Sequence, residues 1–356
     1  MLSFNEIFAD STKHCKKIKT DEYHETGKNM IVDQGQSEIA GYTDLEEGLF
    51  SDVPAIIFGD HTRIIKYVDK PFFIGADGVK VLKSKLEKAN YRYLYYALKN
   101  VKIPNTGYNR HFKWLKETIF NYPNSDRQQE IVLILDKLQS IITHLRTQLE
   151  KLDLLVKSRF VEMFGNIENM CTIADVCSII TDGTHQPPKF TTDGIPFLFV
   201  SNIATNEIVY NAEKFISEET YNDLYKRTPI EIGDIILSTV GSYGHPAIVK
   251  TNKKFLFQRH IAYLKPIPTT INSIYLHRAI LSDNVQRQID ERVKGIAQKT
   301  LNLSEIRKIG IPAPPLELQT QFANFVKQVD QSKSILQQEL TQTQTLFNSL
   351  MQEYFG

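Results

Sequence analysis

The stretch DRQQEIVLILDKLQSIITHLRTQLEKLDLLVKSRFVEM, residues 126–163, decides the architecture. Its apolar residues fall at Ile131, Leu135, Leu138, Ile142, Leu145, Leu149, Leu152, Val156, Phe160 and Met163. The steps alternate four and three until the last turns, which is the seam of a coiled coil rather than the broader stripe of a globular surface helix. The segment ELQTQFANFVKQVDQSKSILQQELTQTQTLFNSLMQEY, residues 317–354, repeats the design 191 positions later. Its equivalent positions are Phe322, Val326, Val329, Lys333, Leu336, Leu340, Thr343, Phe347, Met351 and Tyr354, eight of the ten apolar. The ends match too: Ser158, Glu162, Phe164 and Gly165 recur as Ser349, Glu353, Phe355 and Gly356. Two helices of one pattern need each other to bury their seams. Lys333 and Thr343 within the second seam would fix register at some cost in stability.

With 356 residues the chain has room for two or three domains, each able to bury a core. No apolar run approaches the roughly 18 residues of a membrane span. The first residues, MLSFNEIFADSTKHCKK, show no apolar signal-peptide core, so a cytoplasmic protein is expected. Cys15, Cys171 and Cys177 have no CxxC pairing and no histidine at metal spacing, and they read as reduced and structural. The net charge is +1, which excludes holding nucleic acid by bulk charge. The first long segment is balanced at six basic and six acidic residues, and the second carries two and four. Neither is a rail for phosphate. DNA, if bound, is held by locally clustered charge in the domains between them.

Each long segment follows a domain of similar plan. In residues 1–120, strands are expected at 29–33, 55–58 and 63–68, a turn at 75–78 and an aromatic helix at 91–98. Ser125 or Asp126 is the expected helix cap after Pro123. In residues 170–311, strands at 235–238 and 247–250 flank the turn Gly241-Ser-Tyr-Gly244. Tyr275-Leu-His-Arg-Ala-Ile280 echoes Tyr93-Leu-Tyr-Tyr-Ala-Leu98, and Gly295-Ile-Ala-Gln-Lys299 echoes Gly107-Tyr-Asn-Arg-His111. Pro312-Ala-Pro-Pro315 opens the second helix as Pro123 precedes the first. The helix pattern is held between copies while the globular parts diverge, so one function is shared and the other individualised.

Signatures of catalysis are missing together: no GxxxxGK[ST], no GxGxxG, no GxSxG, no HExxH and no Asn-Pro-Pro-aromatic run. Loops beside glycine carry base-reading side chains instead. In the second domain these are Thr184, His185, Gln186 and Lys189, Ser242 and Tyr243, Gln258 and Arg259, and Gln298 and Lys299. In the first they are Thr62 and Arg63, then Tyr108, Asn109, Arg110 and His111. Gln and Asn pair with adenine edges and Arg or Lys with guanine in the major groove, while Lys and Ser position phosphate. Simple polar turns are the competing reading of any one of them. His260, beside Ile261 and Ala262, also suits a strand histidine with satisfied hydrogen bonds.

The set Asp182-Gly-Thr-His185, Gly194-Ile-Pro-Phe-Leu198, Gly233-Asp-Ile-Ile236, Gly241-Ser-Tyr-Gly244, Gln258-Arg-His-Ile261, Gln298 and Ile311-Pro-Ala-Pro-Pro-Leu-Glu-Leu-Gln319 resembles the specificity subunit of type I restriction–modification systems. The first domain departs from that pattern, lacking the Gly-Thr-His turn and carrying Asn124-Ser-Asp126 where the second has Ala-Pro-Pro. The resemblance implies an α+β protein in which two mixed α/β target-recognition domains are joined by two long antiparallel helices forming an intramolecular coiled coil. It implies target-recognition domains at 1–124 and 166–314 and spacer helices at 125–165 and 315–356. Ile131, Leu135, Leu138, Ile142, Leu145, Leu149, Leu152, Val156, Phe322, Val326, Val329, Leu336, Leu340 and Phe347 are then spacer and partner-binding positions. The implied partners are double-stranded DNA, two modification subunits that methylate adenine, and restriction subunits with translocase and nuclease activity. S-adenosylmethionine, ATP and Mg²⁺ are expected on those partners, with no cofactor, metal or catalytic residue on this chain. Rival readings are a coiled-coil scaffold that binds no DNA, and an enzyme of unrecognised type.

Overall fold

The computed structural model describes residues 1–356 except 76, 108 and 296–298. The chain divides into two compact units, the first made of residues 1–146 and 338–356, the second of residues 147–337.

The first unit contains β1 (Leu2–Ser3), α1 (Phe4–Ile7), β2 (Phe8–Asp10), β3 (Asn29–Val32), β4 (Gly41–Thr43), β5 (Ala55–Gly59), β6 (Ile65–Val68), β7 (Phe72–Ile74), β8 (Val79–Ser84), α2 (Tyr91–Lys99), α3 (Phe112–Lys116) and β9 (Ile119–Phe120). The helix α4 (Ser125–Phe164) then begins. Its strands form an antiparallel four-stranded sheet in the order β2-β8-β5-β6, a mixed sheet β4-β3-β7 and the pair β1-β9. β5 is an inner strand whose five residues, AIIFG, are all buried. Ile56 and Phe58 face a core shared with α2 and the long helices, while Ala55 and Ile57 face a core shared with Val32, Phe72 and Ile74 of the mixed sheet. A strand covered on both faces is a continuous apolar run, which is why this one is visible in the sequence.

The second unit repeats the plan with β10 (Met170–Thr172), α5 (Ile173–Val176), β11 (Cys177–Asp182), β12 (Ile195–Leu198), β13 (Phe215–Ile216), α6 (Glu218–Tyr225), β14 (Ile235–Ser238), β15 (Pro246–Ile248), β16 (Leu256–Phe257), β17 (Ile261–Pro266), α7 (Ser273–Ile280), α8 (Asp283–Arg292), α9 (Leu303–Ile306) and β18 (Gly310–Pro312), before α10 (Leu316–Phe355). Its sheets are β11-β17-β14-β15, β13-β12-β16 and β10-β18, the same three topologies strand for strand. Helices α6 and α8 have no counterpart in the first unit.

Both units share halves of the two long helices, each of 40 residues. In the first, Ile131, Leu135 and Ile142 of α4 share a core with Phe347 and Met351 of α10. In the second, Val156, Phe160 and Phe164 of α4 share a core with Phe322, Val326 and Val329 of α10. Early α4 meets late α10 and late α4 meets early α10, so the pair is antiparallel. Lys333 bridges to Asp153 at 2.5 Å across it.

The helix starts are a repeat of their own. Gln128 is buried and donates to the Pro123 carbonyl at 2.8 Å; Gln319, 191 positions on, is buried and donates to the Pro314 carbonyl at 2.9 Å. Tyr93 and Tyr275 likewise each donate a hydroxyl at 2.8 Å, to the carbonyls of Asn121 and Pro312. The expected cap at Ser125 or Asp126 is corrected: α4 already includes both, and Asn124 Oδ1 accepts the Arg127 amide at 3.0 Å. An Asx side chain just outside the helix reaches the third helical amide, which one inside the first turn cannot do. The strand expected from residue 63 begins at Ile65, because Arg63 sits in a left-handed turn with φ of 63°.

Candidate nucleic-acid interface

In the second unit, antiparallel pairing sets Asp182 opposite Ala262, Ser238 opposite Ile261 and Leu237 opposite Pro246. The end of β11, the start of β17, the end of β14 and the start of β15 therefore lie side by side. Three of the four loops carrying the candidates, those after β11, after β14 and before β17, meet at this one end of the sheet. The loop after Asp182 is pinned by Thr184, whose amide donates to the Phe257 carbonyl and whose carbonyl accepts from Arg259. A Cβ on Gly183 would lie 2.2 Å from that Phe257 oxygen, so the close approach requires glycine. Val240 bridges Thr300, and the Gly241 amide donates to the Lys299 carbonyl at 3.1 Å, bringing the last loop to the same edge.

The individual candidates divide by what their side chains already do. His185, Gln186, Lys189, Ser242, Arg259 and Lys299 are exposed, and Thr184, Tyr243 and Gln258 are half-buried. His185 Nε2 lies 2.9 Å from Asp182 Oδ2. Tyr243 donates its hydroxyl to Asp290 at 3.0 Å, with the Lys299 ammonium 5.9 Å from its ring. The His260 ring accepts from Arg259 Nε at 3.3 Å, and burial, then the Arg259 charge, lowers its pKa. Gln298 falls outside the described residues.

The first unit presents the equivalent end, where Asp10 pairs with Leu82, Gly59 with Val79 and Phe58 with Ile65. Arg63, Asn109 and Arg110 stand there, the latter two exposed. Arg110 lies close enough that its charge adds to that of Lys17 in lowering the Asp77 pKa. Tyr108 falls outside the described residues. Thr62 is exposed, but its hydroxyl donates to the Gln34 carbonyl at 2.7 Å and shapes its own turn. One expectation is corrected, that for His111. His111 is 0% exposed, with Nδ1 3.0 Å from the Asp60 carbonyl. Its amide also donates to that carbonyl, the bond that Leu301, a buried leucine, makes to Thr239 in the second unit. The two loops are thus not in the register their glycines suggest: His111 takes a core position, not that of Lys299.

Several residues that hold this edge give no sequence signal. Gln34 accepts the His61 amide at 3.2 Å and donates to the Asp77 carbonyl at 3.0 Å, tying three loops together. Lys66 is 2% exposed and donates to the Ser37 carbonyl at 2.5 Å, with Asp33 at 3.5 Å. Burial lowers its pKa, partly offset by Asp33. Arg227, just after α6, donates to Asp182 Oδ1 at 2.6 Å.

The seam residues of the long helices require a correction as partner-binding positions. Ile131, Leu135, Ile142, Leu145, Val156, Phe322, Val326, Val329 and Phe347 are buried, and Leu138, Leu149, Leu152, Leu336 and Leu340 half-buried. They face the chain's own cores, because a coiled-coil seam is consumed by its partner helix. The large apolar side chains left exposed are Leu133, Ile141, Leu154, Leu155 and Val161 on α4, with Leu316, Ile335 and Leu346 on α10. Among the described residues no helix is long and apolar enough to cross a membrane.

Known proteins align with this arrangement. The family model described as the type I restriction modification DNA specificity domain matches residues 4–153 and 168–344. The type I restriction enzyme EcoBI specificity subunit of Escherichia coli is 29% identical over 171 residues, 48% of this chain and 36% of its own. The MjaVIII specificity subunit of Methanocaldococcus jannaschii is 22% identical over 315 residues, 78% of this chain and 74% of its own. The chain thus spans little more than a third of the first relative and about three quarters of the second. The crystal structure of a type I restriction–modification S subunit from M. genitalium matches the fold with a TM-score of 0.60 at 16% identity, covering 100% of this chain and 98% of that one. A chain from a structure of type I system assembly gives 0.55 at 14% identity, covering 99% and 95%.

Proposed function

The chain belongs to the type I restriction–modification DNA specificity family, and from that premise we propose that it is a non-catalytic subunit reading a two-part, asymmetric DNA site. One observation carries the reading. The same three-sheet topology occurs twice, and each copy gathers a different set of polar loops at the same end of its four-stranded sheet. Repetition of the scaffold with divergence of the loops is what two readers of different half-sites require. Each loop set enters the major groove of one half-site, where Arg, Lys, Gln and Asn discriminate base edges. The long helices set the separation between the two readings. With a net charge of +1, the chain holds DNA modestly by itself.

Partner subunits then supply much of the phosphate clamp and all the chemistry: adenine methylation with S-adenosylmethionine on two modification subunits, and ATP- and Mg²⁺-dependent translocation and cleavage on restriction subunits. These dock on the exposed apolar faces of α4 and α10, in the cytoplasm. The test exchanges residues 1–120 for the corresponding domain of a relative and maps methylated adenines in cells. One half-site changes while the other stays. An unaltered methylation pattern supports the scaffold reading instead, and methylation or cleavage of DNA by the isolated chain supports a hidden enzyme.

A further inference from the structure

In the second unit, Asp182 sits at the DNA-facing sheet end with its side chain only 17% exposed, and its two oxygens hold two different side chains. Oδ1 accepts from Arg227 Nη2 at 2.6 Å, and Oδ2 lies 2.9 Å from His185 Nε2. Arg227 Nε also points at the Asp182 carbonyl oxygen, at 3.3 Å. One edge of the guanidinium is thereby occupied, while the side chain as a whole stays 51% exposed. What remains is the outward pair of N–H groups on Nη1 and Nη2. They front a recess of about 430 Å³ lined by Thr184, Gln186, Lys189 and Asp223 among others.

Resting on the reading above, we propose that Arg227 reads a guanine in the second half-site and that Asp182 is its positioning residue. A carboxylate at a surface that meets phosphates repels them, so its presence needs another role. Holding an arginine in one rotamer supplies it. A phosphate contact needs only a point charge, whereas bidentate pairing to guanine O6 and N7 needs a planar fork of fixed direction. Placement supports the assignment: Arg227 follows α6, a helix that the first unit lacks, so this reader belongs to one half-site only.

The test uses the full chain with its modification subunits in cells, mapping methylated adenines for R227A, R227K, D182N and R227A/D182N. R227K keeps the charge at an exposed position and so keeps the fold. The expected result is a 10- to 100-fold loss of discrimination at a single G·C pair of one half-site in both Arg227 variants. D182N weakens the same pair less, the double variant is no worse than R227A, and the other half-site is untouched. Unchanged base preference, or methylation falling equally at all sites, overturns the assignment. If the unaltered chain directs no methylation to a split site, the functional reading itself has failed, an outcome separable from any variant's behaviour.

Discussion

Replacing Gln319 with leucine tests whether the helix starts depend on the buried amide. Gln319 Oε1 accepts the Asn272 amide at 2.8 Å, Nε2 donates to Pro314 at 2.9 Å, and the Thr270 carbonyl lies at 3.4 Å. Leucine fills nearly the same volume but leaves the Asn272 N–H and the Pro314 carbonyl without partners. Each orphaned buried group costs about 1–3 kcal/mol, offset by roughly 1 kcal/mol of added apolar burial. The net loss is then about 3 kcal/mol. The repeat supplies its own control: Gln128→Leu orphans the Pro123 carbonyl, a loss of about 1 kcal/mol. Urea unfolding of the full chain by far-UV circular dichroism measures both, with the slope compared to confirm that only stability has moved. If Gln128→Leu costs as much as Gln319→Leu, counting orphaned partners is the wrong account of these sites.

Three further outcomes are expected. Burial, with the Arg278 charge second, pushes the His277 pKa down to about 4, so the ring stays neutral in the fold while the unfolded chain takes up a proton below about 6.5. Stability is therefore complete above pH 6.5 and lost as pH falls toward 4, by up to about 3 kcal/mol; His277→Gln, which does not titrate, should flatten that part of the profile, and an unchanged slope counts against the assignment. Lys333→Leu should melt at or above the unaltered chain, since a partly exposed ion pair is worth about 0–1 kcal/mol and a seam leucine contributes more; a loss beyond 1 kcal/mol would contradict this. Removing residues 143–149 and 337–343 together, matched through the Asp153–Lys333 pair, shortens the helices by about 10 Å, roughly three base pairs of rise. The gap between methylated half-sites should shrink with their sequences kept; altered half-site sequences would refute the ruler.

The long helices were legible because a heptad seam sustained over many turns arises in little besides a coiled coil, and its return after 191 residues supplied the partner. β5 and β14 were legible as apolar runs buried on both faces. β2, β4, β7, β13 and β16 were not: two or three residues carry no measurable period. In the candidate site, glycine turns pointed to loops that the fold gathers at one sheet end, but not to what their side chains do there. Arg227 lies 45 positions from Asp182 behind a helix with no turn signal, so only the fold brings them together. His111 looked like a loop side chain because burial of a polar ring by a backbone carbonyl leaves no trace in the string of residues.

The division of the chain also sets an order of completion. The second unit is one uninterrupted segment, residues 147–337, whereas the first needs residues 338–356 as well as its own 146. On a ribosome the later-encoded unit therefore has all its parts first. The earlier one waits, with Ile131, Leu135 and Tyr93 uncovered, until Phe347, Met351 and Phe355 emerge. A chain released before that point would carry one finished unit and one open core, a species for quality control to find.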